Sequence, residues 1–224
     1  MKTVEEKIDE IEHRLRTEAI VTDCIHDYHE TFHLKCTEYV ELDGLWLEFG
    51  VFTGRSIEQF SRKAPKEIYG FDCFEGLPEY WDSNNPKNCY SLGGNVPPGY
   101  IVGENHSMFD SSLPQNWKPW PENVKLIKGL FEDSLPLFLK KFEGDVAFVH
   151  IDGDLYSSAK TVLTELTPRF KKGSVLLFDE INDYDDYRNH EIKAFAEFLL
   201  DTGFDYQPLL HQKESYSQGL FKLI

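Results

Sequence analysis

The sequence predicts an α/β fold built on a mainly parallel sheet with helices on both faces. Two observations carry this. Apolar runs such as Val146-Ala-Phe-Val-His-Ile and Ser174-Val-Leu-Leu-Phe are near-continuous rather than alternating, as expected of strands buried on both faces. Such runs also alternate with stretches of helical periodicity, which implies right-handed crossovers between parallel strands. A third observation locates the chemistry: two of these runs end in acidic clusters, Asp152-Gly-Asp154 and Asp179-Glu180. Unpaired carboxylates beside an apolar strand are costly to desolvate, so their convergence points to a cation, a tuned proton acceptor, or both. In open α/β sheets, ligands bind beyond the carboxyl ends of the strands.

With 224 residues, 41% of them hydrophobic, the whole chain, 1–224, is expected to form a single domain. Residues 3–40 read as an N-terminal helical segment, with Val4, Ile8, Ile11 and Leu15 at heptad-like intervals. That face suits either a second subunit, making a homodimer, or the chain's own core. Residues 44–50 form the first strand, followed by a glycine-containing turn and a helix over 56–64 that Pro65 closes. Residues 67–72 and 124–129 give the second and third strands, and the two acidic-ended runs the fourth and fifth, with a helix over 157–170 between them. A further helix spans 191–202, with Ile192, Phe195, Ala196 and Leu199 on one face and Gly203 as its stop. The tail, 204–209 and 218–223, reads as an antiparallel pair. Residues 78–122 break the rhythm. This insertion is rich in Pro, Gly and Asn yet carries Trp81, Tyr90, Tyr100, Phe109, Trp117 and Trp120, so it reads as a lid over a ligand or as a loop packed by its own aromatics.

The net charge of -16, with no basic stripe, argues against nucleic acid. No apolar stretch approaches the length of a membrane span, and the N-terminus has no apolar signal region, so no membrane association and a cytoplasmic location are expected. Cys24, Cys36, Cys73 and Cys89 lack metal-ligand spacing and read as reduced thiols.

Glu48-Phe-Gly50-Val-Phe52-Thr53-Gly54-Arg-Ser56 passes from strand to helix and offers free backbone N–H groups to an anionic group. Phe52 stands where a dinucleotide fingerprint needs its second glycine, and no Walker lysine follows, so a ligand without a pyrophosphate at this turn is expected. Asp72, at the end of the second strand, is placed either for a ribose diol or for the turn into Phe74-Glu-Gly-Leu-Pro78. A nucleoside with a compact polar arm suits both motifs.

These blocks, together with Gly129-Leu-Phe-Glu-Asp-Ser-Leu-Pro136, His150-Ile-Asp152-Gly-Asp154-Leu-Tyr-Ser-Ser158 and Phe178-Asp179-Glu180, resemble the class I S-adenosylmethionine-dependent methyltransferases, and within them the macrocin O-methyltransferase-like family. The resemblance implies a Rossmann-like, seven-stranded sheet with an antiparallel C-terminal hairpin. It also implies S-adenosylmethionine held through Glu48, Gly50, Phe52, Thr53, Gly54 and Ser56 at its amino-acid end, by Asp72 at the ribose, and near Gly129 and Asp152 at the remainder. A divalent cation, Mg²⁺ or Mn²⁺, is implied at Asp152, Asp179 and Glu180; the family often has a second aspartate where this chain has Glu180. Hard oxygen donors suit these ions. The expected activity is O-methylation of a small-molecule hydroxyl, of a sugar or glycosylated natural product by resemblance. Asp154 reads as the catalytic base, a helix N-cap or an additional ligand, and His150 as a neighbour of the carboxylates or a core histidine. Two other readings are a metal-dependent nucleotide-sugar glycosyltransferase using Asp152-Gly153-Asp154, which leaves the glycine turn unexplained, and a non-catalytic binding protein on the same fold.

Overall fold

The computed structural model describes residues 2–23, 27, 29–81, 85–101, 117–213 and 216–224. The chain opens with α1 (Val4–Glu18), started by a capping box in which the Thr3 hydroxyl accepts from the Glu6 N–H at 3.2 Å and the Glu6 carboxylate accepts from the Thr3 N–H at 2.8 Å. Ile8, Ile11 and Leu15 are fully buried in the chain's own core, so the heptad-like face is already covered within one chain. The helix does not continue to residue 40. Ile20-Val-Thr, a run of β-branched residues, forms strand β1 (Ile20–Asp23), after which come α2 (Glu30–Cys36) and a 3₁₀ turn at Thr37–Tyr39.

The elements that follow are β2 (Leu45–Phe49), α3 (Arg55–Ser61), β3 (Ile68–Asp72), β4 (Gly99–Ile101), β5 (Trp117–Pro119) and β6 (Val124–Lys128). Then come α4 (Phe131–Lys141), β7 (Val146–Ile151), α5 (Tyr156–Leu166), β8 (Val175–Asn182), α6 (Glu191–Thr202), β9 (Tyr206–Lys213) and β10 (Ser217–Leu223). All six residues of β7 are buried, which explains its unbroken apolar pattern. Gly203, at φ 73°, ends α6 in the left-handed conformation that glycine adopts without a Cβ penalty.

The main sheet has eight strands in the order β1-β9-β10-β8-β7-β2-β3-β6, not seven. The additional strand is β1, which pairs in parallel with β9 at the sheet edge and leaves Ile20 and Val21 about half exposed. All pairs along the sheet are parallel except those made by β10, which runs antiparallel to both β8 and β9. Helices pack on both faces, enclosing two apolar layers, one centred on Phe49, Val149 and Phe178 and the other on Trp46, Phe60 and Phe148.

Chain order reverses between β2 and β7: the chain runs outward from β2 through β3 to β6, then returns to β7 and continues outward the other way. A crevice therefore opens beyond the carboxyl ends of these strands. The 78–122 insertion includes the small β4–β5 ribbon; residues 102–116, with His106 and Phe109, lie outside the described residues. Two of its aromatics pack inward: Trp81 is buried among Leu77, Cys89 and Leu155, and the Trp120 indole donates to the Pro97 carbonyl at 3.0 Å. Among the described residues no helix is long and apolar enough to cross a membrane.

Candidate active site

A cavity of about 290 Å³ occupies this crevice. Its first wall is the loop after β2. Gly50 has a φ of 96°, and a Cβ there would overlap the Asp152 carbonyl oxygen, so glycine permits the exits of β2 and β7 to meet. Phe52, also at positive φ (44°), turns its ring into the cavity and edge-on to Tyr90. Of the six residues expected at the cofactor's amino-acid end, Glu48, Thr53, Gly54 and Ser56 stand apart from the cavity lining. Glu48 is fully buried beneath the loop, accepting from the Ser56 hydroxyl at 3.1 Å and lying 3.2 Å from His150 Nδ1. The Thr53 carbonyl accepts from the Ile101 N–H at 3.1 Å, and Gly54 lies under the Trp120 indole, where a Cβ would clash.

Asp72 lines the cavity and at the same time ties the loops together. One carboxylate oxygen accepts from the Val51 and Phe52 N–H groups at 2.8 and 2.7 Å, and the other from Phe74 N–H at 2.6 Å. Burial raises its pKa, against the three N–H groups that pull it down. The turn contact anticipated for Asp72 is thus present alongside its exposure to the cavity. Gly129, at φ 146°, and the first turn of α4 through Phe131 and Glu132 form the next wall.

Carboxylates complete the lining. Asp152, Asp154, Asp179 and Glu180 all border the cavity. Oxygens of Asp152, Asp154 and Glu180 lie within 4.8 Å of one another. Burial and the neighbouring Asp179 charge push Asp152 well above the usual carboxylate range; burial, then Asp179 and Asp154, do the same to Glu180. Glu180 Oε2 is buried with no hydrogen-bond partner among the described residues. Three oxygen donors with an orphaned carboxylate oxygen among them could hold a hard divalent cation.

Asp179, expected beside Asp152 and Glu180, lies outside this group and clusters instead with the ring nitrogens of His33 and His150. Burial opposes its ionisation, but the hydrogen bond and charge of His150 hold its pKa below the ordinary range. Gln218 Nε2 donates to Asp179 Oδ1 at 2.5 Å, and His150 Nε2 lies 3.4 Å from the same oxygen. His150 is thus a core histidine and a neighbour of the carboxylates at once. Despite burial, which disfavours the cation, contacts to Asp179 and Glu48 raise its pKa well above the usual imidazole value.

Asp154 is not the N-cap of α5. That position is Leu155, and no side-chain cap bond is made there. Asp154 instead sits at φ 60°, an uncommon backbone state that aspartate tolerates, with its side chain among the acidic group. His190, at the N-cap of α6, is removed from the cavity lining. Sequence reasoning missed Glu191, fully buried, whose Oε2 accepts from the Glu180 N–H at 3.3 Å and whose pKa burial and Asp179 raise. It also missed Gln218 and His33, and only Glu191 had a signal, as an acid opening an otherwise apolar helix face; Tyr90, one of the insertion's aromatics, lines the cavity.

An eight-stranded, mainly parallel sheet with an antiparallel C-terminal hairpin, and a carboxylate-lined crevice at its switch point, define a class I methyltransferase fold. Solved structures share it: the calicheamicin methyltransferase CalS11 (TM-score 0.60, 21% identity, covering 99% of this chain and 94% of that one) and the O-methyltransferase NovP (TM-score 0.55, 18% identity, 87% and 78%). An O-methyltransferase from Bacillus cereus in complex with SAH is similar at TM-score 0.53 and 14% identity, covering 100% of this chain and 91% of that one. Residues 35–199 match the macrocin O-methyltransferase (TylF) family, and the chain belongs to it. A curated relative, the 8-demethyl-8-(2,3-dimethoxy-alpha-L-rhamnosyl)-tetracenomycin-C 4'-O-methyltransferase of Streptomyces olivaceus, is 26% identical over 160 residues, 65% of this chain. The match spans 57% of that relative's length.

Proposed function

We propose that this chain, acting as one catalytic domain, is an S-adenosylmethionine-dependent, divalent-metal-assisted O-methyltransferase for a hydroxyl on a sugar or glycosylated natural product. One observation carries the proposal: a single cavity is lined both by Gly50 and Asp72 and by Asp152, Asp154, Asp179 and Glu180. A methyl donor and a polar acceptor need such adjacent, chemically distinct walls, because displacement at a sulfonium methyl demands in-line alignment. Family membership supports the reaction type, and the curated relative, named for a rhamnosyl compound, supports the acceptor class.

Asp72 would hold the ribose with its remaining lone pairs, the loop through Gly50 and Phe52 would border the amino-acid end, and the backbone at Gly129 would face the adenine. Glu48, Thr53, Gly54 and Ser56 would act from beneath, by fixing that loop. Asp152, Asp179 and Glu180 would hold Mg²⁺ or Mn²⁺, with Asp154 supplying a further oxygen or serving as base. Such a cation, when bound, polarises a coordinated hydroxyl and lowers its pKa. The carboxylate of Asp154 would accept the hydroxyl proton as the oxygen takes the methyl group and the donor leaves as neutral S-adenosylhomocysteine. Phe52 and Tyr90 would shield the reacting atoms from water.

The test is turnover of S-adenosylmethionine against a panel of free and glycosylated hydroxyl compounds, with Mg²⁺ and with a chelator. Methylated glycoside formed only with the metal supports the proposal; metal-independent turnover removes its metal component, and transfer of a sugar from a nucleotide sugar instead of a methyl group rejects it.

A further inference from the structure

Asp179 is held from behind. Its Oδ1 accepts from Gln218 Nε2 and lies 3.4 Å from His150 Nε2, which commits that oxygen to the sheet side of a residue that lines the cavity beside Glu180. Gln218 is 1% exposed and lies on β10, opposite the end of β8 that carries Asp179. A buried side-chain amide can turn either end toward a carboxylate, and only its nitrogen end stabilises one. The ionised carboxylate, which only accepts, makes the choice, and the far end of the amide meets His33: Gln218 Oε1 lies 3.1 Å from His33 Nε2, and His33 Nδ1 lies 2.7 Å from Gln59 Oε1. A neutral imidazole donates through one nitrogen, and the tautomer with its proton on Nε2 holds the Gln218 oxygen and so keeps the amide nitrogen on Asp179. His33 itself is buried, tilted against His150 with ring centroids 5.5 Å apart and against Phe60 at 4.8 Å, so it has little freedom to release the amide. Both His33 and Gln218 fall outside the 35–199 segment that matches the family.

We propose that Gln218, oriented by His33, is a positioning residue for Asp179: the pair fixes the rotation of that carboxylate so that one oxygen faces the cavity for the divalent cation. The proposal rests on the metal-assisted reading above. Hydrogen-bonded partners of metal-ligating carboxylates alter metal affinity by ~10- to 100-fold when removed, and the loss here is expected near the lower end because His150 still contacts Asp179.

The experiment titrates the full chain with Mn²⁺, read by the electron paramagnetic resonance signal of the free ion, and separately with S-adenosylhomocysteine by calorimetry. Gln218→Met, which keeps length and removes both polar atoms, should weaken Mn²⁺ binding about tenfold and lower kcat, while leaving S-adenosylhomocysteine affinity and the KM for S-adenosylmethionine within about twofold of the parent. His33→Leu should weaken Mn²⁺ in the same sense, and His33→Gln, which keeps a donor facing Gln218, should recover most of it. Unchanged Mn²⁺ affinity in Gln218→Met overturns the proposal. A parallel loss of Mn²⁺ and S-adenosylhomocysteine binding overturns it too, since that is general damage rather than positioning. A parent protein that binds no Mn²⁺ removes the metal reading and this proposal with it, whereas binding by the parent with indifferent variants removes the proposal alone.

Discussion

His150 Nε2 lies 3.4 Å from Asp179 Oδ1, while the other nitrogen of the same ring lies 3.2 Å from Glu48 Oε2. One fully buried imidazole thus joins the strand beneath the glycine loop to the strand that ends in the acidic pair. Burial raises the pKa of Glu48 and opposes ionisation of Asp179, and the imidazole works against burial at both.

Removing that ring should therefore take a compensating contact from two buried carboxylates. His150→Leu is expected to lose about 3–5 kcal/mol of stability, measured by urea unfolding. The loss should depend on pH with a defined sign. Because the folded-state pKa of His150 is raised above 6.5, its contribution is complete below that pH and declines as pH rises through the folded value. Because that of Asp179 is depressed below 3.8, its share is complete above that pH and declines as pH falls through the folded value. The difference between parent and variant should be greatest between these two values and shrink on either side; a gap flat from pH 4 to pH 9 would contradict the pairing.

Glu191 carries the opposite lesson. Its pKa is raised by burial and by Asp179, and its Oε1 has no hydrogen-bond partner among the described residues. Stability that depends on its protonated form is present below 4.5 and lost as pH rises through the folded value. Glu191→Gln should be close to the parent at pH 4.5 and more stable at pH 8.5 by on the order of 1–3 kcal/mol, measured by thermal unfolding. A variant less stable at pH 8.5 would mean that the ionised carboxylate is bound by a partner.

Gly50 tests the geometry at the strand exits. A Cβ there meets the Asp152 carbonyl, and the backbone is at positive φ, so Gly50→Ala combines overlap with strain of about 1–3 kcal/mol. S-adenosylhomocysteine affinity should fall at least tenfold. Unchanged affinity would place the cofactor elsewhere.

The proposed metal ligands make a paired prediction. Asp152→Asn and Asp179→Asn should each abolish metal-dependent turnover while S-adenosylhomocysteine still binds. Mg²⁺ should raise the unfolding temperature of the parent more at pH 8 than at pH 6, because the raised pKa values of Asp152 and Glu180 oblige the ion to displace protons at the lower pH. An equal Mg²⁺ effect at both pH values, or turnover in both variants, would exclude these carboxylates as ligands.

What sequence made legible follows range of interaction. The parallel strands, the C-terminal hairpin and the acidic exits were readable because burial on both faces leaves a local signature, as in Val146–Ile151. Strand β1 escaped because its four residues follow directly on α1 and its pairing partner, β9, begins at Tyr206. The inward packing of Trp81 and Trp120 was one of two readings the composition allowed, and only the three-dimensional contacts distinguish it. Glu48 was legible as a motif position but not as a group beneath the loop, since that depends on its register with His150 across β2 and β7. Gln218 is 39 residues from Asp179 in sequence, and no spacing rule connects an amide on one strand with a carboxylate on its antiparallel neighbour.

The most direct test of the account is calorimetric titration of the full chain with S-adenosylhomocysteine, with and without Mg²⁺, beside a UDP-sugar with Mn²⁺. One-to-one binding of S-adenosylhomocysteine and no response to the UDP-sugar is the predicted result. Binding of the UDP-sugar alone would contradict the methyltransferase reading, and binding of neither would leave the fold without the proposed cofactor pocket.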